Sequence, residues 1–210
     1  MSLRPKSKLL RIGVDIDETL TSHYQAICWF HHSQGGKLIN PEQITENRLE
    51  KLWGLSPEEV VEVYNAFRSH GGLRNLEPDP VAQVALQQLH PLVVITARGA
   101  ASEPDTLSWL LEHFGDIFEA IHFTSHQSKL ATARQERLAV MIEDSVEPAL
   151  EMAEAGIPVV LLDRVWNQDL EHSLIARARN WDQVQELVRL QLKMPLAEPR
   201  PNPVGQRPHQ

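Results

Sequence analysis

Five short apolar runs rich in β-branched residues, set between stretches of helical spacing, constrain this chain more than any other feature. They are Leu9 to Val14, Leu92 to Ile95, Ala120 to Phe123, Leu138 to Ile142 and Val159 to Leu162. Runs of this length, largely without polar alternation, read as strands buried on both faces, as in a parallel sheet covered by helices. Alternating strand and helix gives a layered α/β fold with right-handed crossovers. The intervals carry helix punctuation. Asp79-Pro80 offers an N-cap and a first-turn proline ahead of Val81, Val84, Ala85 and Leu89. Leu107, Leu110, Leu111 and Phe114 form a second stripe closed by Gly115. Ser145 precedes a third, with Ala149, Leu150 and Ala153, which Gly156 and Pro158 stop.

One interval breaks the alternation. About 75 residues without a strand signal separate the first run from the second, far more than an ordinary βα connection. Inside it, Ser56-Pro57-Glu58-Glu59 is a capping box, followed by Val60, Val63, Tyr64 and Phe67 at helical spacing and then Gly71-Gly72. Tyr24 to His32, with Ile27, Trp29 and Phe30, reads as a further helix. The expected division is a core of residues 1–20 and 76–194, a helical insert of residues 21–75 over the sheet's carboxyl edge, and a disordered proline-rich tail of residues 195–210. A chain of 210 residues suits one core with a small satellite.

The net charge of −8 argues against a nucleic-acid polymer as partner, because such binding relies on a basic surface. It leaves room for a small anionic substrate, since one local cation or metal outweighs the global field. The single cysteine, Cys28, allows no intrachain disulfide and no cysteine zinc site, which suits a reducing, cytoplasmic setting. No run approaches the roughly 20 apolar residues needed to span a bilayer. The basic start of the chain runs into Arg11 and two aspartates, so the expectation is a soluble protein without a membrane partner.

Chemistry concentrates where strands should end. Val14-Asp15-Ile16-Asp17-Glu18-Thr19 follows the first run, and in an open α/β sheet ligands bind beyond the carboxyl ends of strands. One carboxylate there can attack or hold a metal while the other handles a proton; equally, one can cap a turn while the other is solvated. Ile95-Thr96-Ala97-Arg98 brings a hydroxyl and a cation to the same edge, Ile142-Glu143-Asp144-Ser145 brings more carboxylate, and Lys129 follows the third run. Carboxylates from two strand ends suit a hard cation such as Mg²⁺. A hydroxyl, a lysine and that cation could surround a phosphoryl group.

The ordered set Asp15/Asp17/Thr19, Thr96, Lys129 and Glu143/Asp144 resembles the four motifs of the haloacid-dehalogenase-like phosphohydrolases, with their Rossmann-like three-layer α/β/α core. The resemblance implies Asp15 as the nucleophile that forms an aspartyl-phosphate, and Asp17 as general acid and then base. It implies Mg²⁺ on the Asp15 carboxylate, the Asp17 backbone carbonyl and Asp144, with Thr96, Ala97 and Lys129 on the phosphoryl oxygens. The insert matches the helical cap called C1 in that superfamily. The stretch from Ile142 through Leu162-Asp163-Arg164-Val165-Trp166-Asn167-Gln168 looks like bacterial relatives of the type-C 5′-nucleotidases. A glycine is commoner there at the position of Glu18. The implied activity is Mg²⁺-dependent hydrolysis of a small phosphorylated metabolite, a (deoxy)nucleoside 5′-monophosphate. The alternatives are a sugar-phosphate or other small-metabolite phosphatase, and a phospho-ligand binding module without turnover. The oligomeric state is open.

Other residues carry blander readings. His31-His32, with His23 and Cys28 nearby, lack a second cluster to complete a tetrahedral metal site. Trp29, Phe30, Trp53, Tyr64 and Phe67 could stack a nucleobase, but helical spacing favours a small helical core. Arg98 could meet the substrate's anion or pair with a carboxylate such as Glu143. Trp166-Asn167 reads as a loop that shapes the site, and the direction of Ser125 and His126 is open.

Overall fold

The structure, a computed structural model, describes residues 10–46 and 48–193. Leu9 and the tail expected over residues 195–210 lie outside the described residues. Among the described residues, six strands build one sheet: β1 (Arg11–Val14), β2 (Leu92–Thr96), β3 (Phe118–Phe123), β4 (Leu138–Glu143), β5 (Val159–Leu162) and β6 (Ile175–Ala178). Their order is β3-β2-β1-β4-β5-β6, and every pairing is parallel. The helices are α1 (His23–Ser33), α2 (Leu49–Trp53), α3 (Pro57–Ser69), α4 (Pro80–Leu86), α5 (Glu103–Phe114), α6 (Leu130–Glu136), α7 (Val146–Glu154) and α8 (Trp181–Gln191).

Strand alternation sorts the apolar side chains into two layers. Ile12, Val14, Leu92, Val94, Val140, Ile142, Val160 and Leu162 join one buried cluster with residues of α4, α5 and α8. Val93, Ile95, Met141, Val159 and Leu161 join the other, with Ala133 of α6 and Ala149 and Met152 of α7. Gly13 belongs to this second face, and its lack of a side chain is required. A Cβ there would come within 2.4 Å of Leu138 Cδ1 and 2.6 Å of Met141 Sδ.

Several sequence expectations need correction. β3 is an edge strand with half-exposed residues rather than one buried on both faces. On α5 the buried face is Thr106, Trp109, Leu110 and Phe114, while Leu111 is 65% exposed. On α4 the buried face is Ala82, Ala85 and Leu86, and Val81 and Val84 face outward. In both helices the apolar stripe is wider than the face the sheet covers. β6 and α8 are absent from the sequence expectations; Ile175–Ala178 is short and contains an arginine. Asn180 caps α8 through Gln183 N, ahead of Trp181, Val184 and Val188 at helical spacing, a signal that could have found it.

Between β1 and α4 the chain forms α1, α2 and α3. Its two crossings run side by side: Asp79 N donates to Leu20 O at 2.7 Å, and Thr21 Oγ1 donates to Glu77 O at 2.7 Å. The capping box is present, with Ser56 and Glu59 each accepting from the other's backbone N–H. Ile27, Cys28, Leu49, Trp53, Val60 and Phe67 are buried in the cluster that continues into the sheet. Trp29, 61% exposed, is outside that core.

Candidate active site

The site forms where the strand order reverses, between β1 and β4. Asp15 N donates to Ile142 O at 3.1 Å, which extends the ladder one residue past β1. That register sets Asp15 beside Glu143, and both continue the face of Gly13 and Met141. Helix α6 covers this face, and Lys129 immediately precedes it. Lys129 Nζ therefore donates to Asp15 Oδ1 and to Glu143 Oε1, at 2.6 Å each. All three side chains are buried.

Glu143 is held further by the backbone N–H of Asp144, 2.8 Å from Oε2. Thr19 Oγ1 donates to Asp144 Oδ1 at 3.2 Å. Below the carboxylates, the Asn167 amide donates to Asp144 O and Leu162 O, which ties the turn after β5 to the strand end. Trp166-Asn167 thus shapes the loop, as its sequence suggests.

Asp15, Glu143 and Asp144 can each offer an oxygen within 4.8 Å of the others. Burial pushes the Asp15 carboxyl up to about 7, aided by Glu143 and Asp17 and opposed by Lys129. Burial, then Glu143 and Asp15, also raises Asp144. Burial would lower Lys129, but Asp15 and Glu143 hold it above the usual lysine range. Three buried carboxylates facing one ammonium form an oxygen-donor set with unmatched negative charge, which fits a hard divalent cation.

The Asp17 carboxylate lies outside this cluster. Arg98 Nη2 and Nε donate to its two oxygens at 2.6 and 3.0 Å, and Arg98 Nη1 donates to Thr106 Oγ1 at 3.0 Å. Burial alone would raise Asp17, yet the guanidinium holds it well below the usual carboxylate range. Arg98 pairs with a carboxylate, and that carboxylate is Asp17 rather than Glu143. Thr96 is fully buried, and its Oγ1 accepts from Arg98 N at 3.3 Å.

A cavity of about 490 Å³ opens above these groups. Asp15, Asp17, Ala97, Arg98, Lys129 and Asp144 line its sheet side, and His23, Tyr24, Val61, Tyr64, Asn65 and Arg68 line the side of the insert. His126 also faces it, whereas the sequence left its direction open. His23 is the residue that sequence reasoning misplaced. It was grouped with His31 and His32, but its Nδ1 lies 3.6 Å from Asp17 Oδ1. Burial lowers its pKa, and its ring packs 5.5 Å from that of Tyr64. His31 instead packs on Trp53, and the His32 ring meets Gly36 O. The signal that could have separated them is distance along the chain, six residues from Asp17 at the start of a helix.

Residues 8–194 match the family model described as 5′ nucleotidase, deoxy (Pyrimidine), cytosolic type C protein. A nucleotidase of Clostridium acetobutylicum is 29% identical over 186 residues, covering 85% of this chain and 93% of that protein. Among solved structures, a haloacid dehalogenase-like hydrolase of Streptococcus pneumoniae superposes with a TM-score of 0.65 at 18% identity, covering 85% of this chain and 98% of that one. A HAD family hydrolase of Deinococcus radiodurans, solved with bound phosphate and sodium, gives 0.62 at 16% identity, covering 89% and 98%. These two likenesses concern the fold.

Proposed function

The chain belongs to the cytosolic type C 5′-nucleotidase family within the haloacid-dehalogenase-like fold, and from that premise we propose that it hydrolyses deoxynucleoside 5′-monophosphates through an aspartyl-phosphate on Asp15. Family membership makes it a phosphoric monoester hydrolase; the substrate and the covalent route are the proposal. The observation that carries it is the Lys129 ammonium bridging Asp15 and Glu143 on the floor of a cavity large enough for a nucleotide. A buried lysine so placed fixes one Asp15 oxygen and leaves the other to attack.

In the first half-reaction an Asp15 oxygen attacks phosphorus and the ester P–O bond breaks. Its electron pair goes to the leaving oxygen, which takes a proton from Asp17. Water then attacks the phosphorus of the acyl phosphate and gives its proton to Asp17. Inorganic phosphate leaves and the Asp15 carboxylate is restored. A proton donor of this kind is worth roughly 10²–10⁴-fold for a poor leaving group. Asp17 can carry that proton only once Arg98 lets go of it. The reading is therefore that the incoming phosphate draws Arg98 away and frees the acid. Thr96 Oγ1 already accepts from Arg98 N, so its own hydrogen remains to donate to a phosphoryl oxygen. The Ala97 backbone N–H and Lys129 complete the grip.

Asp15, Asp144 and the Asp17 backbone carbonyl would hold Mg²⁺. Bound there, it would neutralise charge on the phosphoryl oxygens. Residues 21–75 act as a cap hinged near Thr19–Ser22 and Gly71–Pro78, closing to exclude water and opening for product release. Among the described residues no helix is long and apolar enough to cross a membrane, and Cys28 is buried and free. Both features suit the cytoplasmic setting we propose.

The test is a panel of phosphate esters assayed with and without Mg²⁺. The expected result is Mg²⁺-dependent release of phosphate, fastest from deoxynucleoside monophosphates. Preference for sugar phosphates would move the assignment to that class, and inertness across the panel would leave only a binding module.

A further inference from the structure

Glu18 stands between Asp17 and the helical insert with a left-handed backbone, φ 57°, where a glycine would sit without strain. Such a conformation persists when the surroundings over-determine it, and they do so here from two sides. The Glu18 carbonyl oxygen accepts from Arg164 Nε at 3.0 Å and also from Arg164 Nη2, which anchors it to the turn after β5. Its carboxylate Oε1 accepts from Tyr24 N at 2.5 Å, in the first turn of α1. That turn needs the bond. Ser22, at the N-cap position, makes no side-chain capping bond, and the first turn of α1 contains no acidic residue. The Glu18 side-chain oxygen supplies the missing acceptor for an orphan N–H at the start of the helix.

We propose that Glu18 is a positioning residue, a strut that fixes α1 to the catalytic loop and so sets His23 and Tyr24 in the cavity wall. The proposal rests on the reading that this cavity binds the substrate. Glycine at this position would leave α1 to be held by its apolar face and by the contact of His23 with Asp17. Glutamate accepts backbone strain in exchange for a defined helix start, and its reach crosses from the loop that carries the chemistry to the element that meets the leaving group.

Glu18→Gly folds readily, because glycine suits the backbone angle, so its kinetics are interpretable. Three quantities are measured with Mg²⁺ present: KM and kcat for a deoxynucleoside 5′-monophosphate, and inhibition by inorganic phosphate, which the proposed function places on the sheet side. Loss of this buried hydrogen bond should raise KM by up to about tenfold, while kcat stays within about threefold. Phosphate inhibition should be unchanged. Hydrogen exchange at the first-turn amides of α1, measured without substrate, should accelerate. Glu18→Gln keeps an oxygen acceptor for Tyr24 N and should restore both KM and exchange. Wild-type KM and exchange in Glu18→Gly would overturn the proposal. So would a Glu18→Gln variant as impaired as the glycine, or phosphate inhibition weakened as much as nucleotide binding. If the unaltered protein hydrolysed no ester, the functional reading would fall, while the exchange comparison would still decide the strut.

Discussion

The carboxyl edge of the sheet and the helical insert above it face the same cavity but hold their side chains differently. At the sheet edge, Asp15, Glu143 and Lys129 are buried, and their positions follow from parallel register and from α6 packed on one face. Each has at least one charged partner at 2.6 Å. On the insert, Val61 and Asn65 are exposed, and Tyr24 and Tyr64 are half-buried. The insert is tied down by few polar bonds, among them Glu18 to Tyr24 N and Arg68 Nη1 to Ala101 O. The difference suits the division of labour proposed above, in which the edge holds the chemistry and the insert recognises what is attached to the phosphate.

Substitutions can break that division, and the largest effect belongs to the edge. Asp15→Asn should lower kcat by about 10⁴-fold or more with the fold retained, as expected for loss of a nucleophile; circular dichroism with a phosphate-release assay checks both. Removing divalent cations with a chelator should reduce turnover to background, and added Mg²⁺ should restore it. Full activity after chelation would show that Lys129 alone balances the three carboxylates. An effect of the opposite kind is expected on the insert. Tyr64→Ala should raise KM for a nucleotide by about tenfold with little change in kcat, as for an interaction made equally in ground and transition states. A fall in kcat alone would place Tyr64 with the chemistry and break the comparison.

Smaller effects sharpen it through stability. Gly13→Ala forces a methyl against Leu138 and Met141, and overpacking of this kind costs about 1–3 kcal/mol. Thermal unfolding should show the loss while KM is unchanged. Leu111→Gln, on the outward face of α5, should change stability by less than about 0.5 kcal/mol. A larger loss would mean that this face is covered in solution.

The sheet was legible because a strand buried on both faces writes itself as a largely apolar run, and β1, β2, β4 and β5 do so, β1 with Arg11 as its one interruption. The edge strand β3 was legible only in its apolar second half, and β6 not at all, since half-exposed strands mix polar residues into a short segment. The motif residues were legible as types and in order, and that order is what the resemblance rested on. Their partners were not. Nothing in the sequence says that Arg98 reaches Asp17, because the pairing depends on how the loop after β2 curls toward α5. His23 was misjudged because sequence proximity grouped it with His31, whereas helix α1 turns the two in different directions. Glu18 is visible in the sequence only as a residue type; what it does depends on the backbone angle and the bond to Tyr24.

The most direct test of the central claim is to quench the enzyme during turnover of a deoxynucleoside monophosphate, reduce it with borohydride and map the peptides by mass spectrometry. An acyl phosphate on Asp15 would be reduced to homoserine at that position and at no other carboxylate. Steady release of phosphate with Asp15 unmodified, or modification at Asp144 instead, would contradict the account.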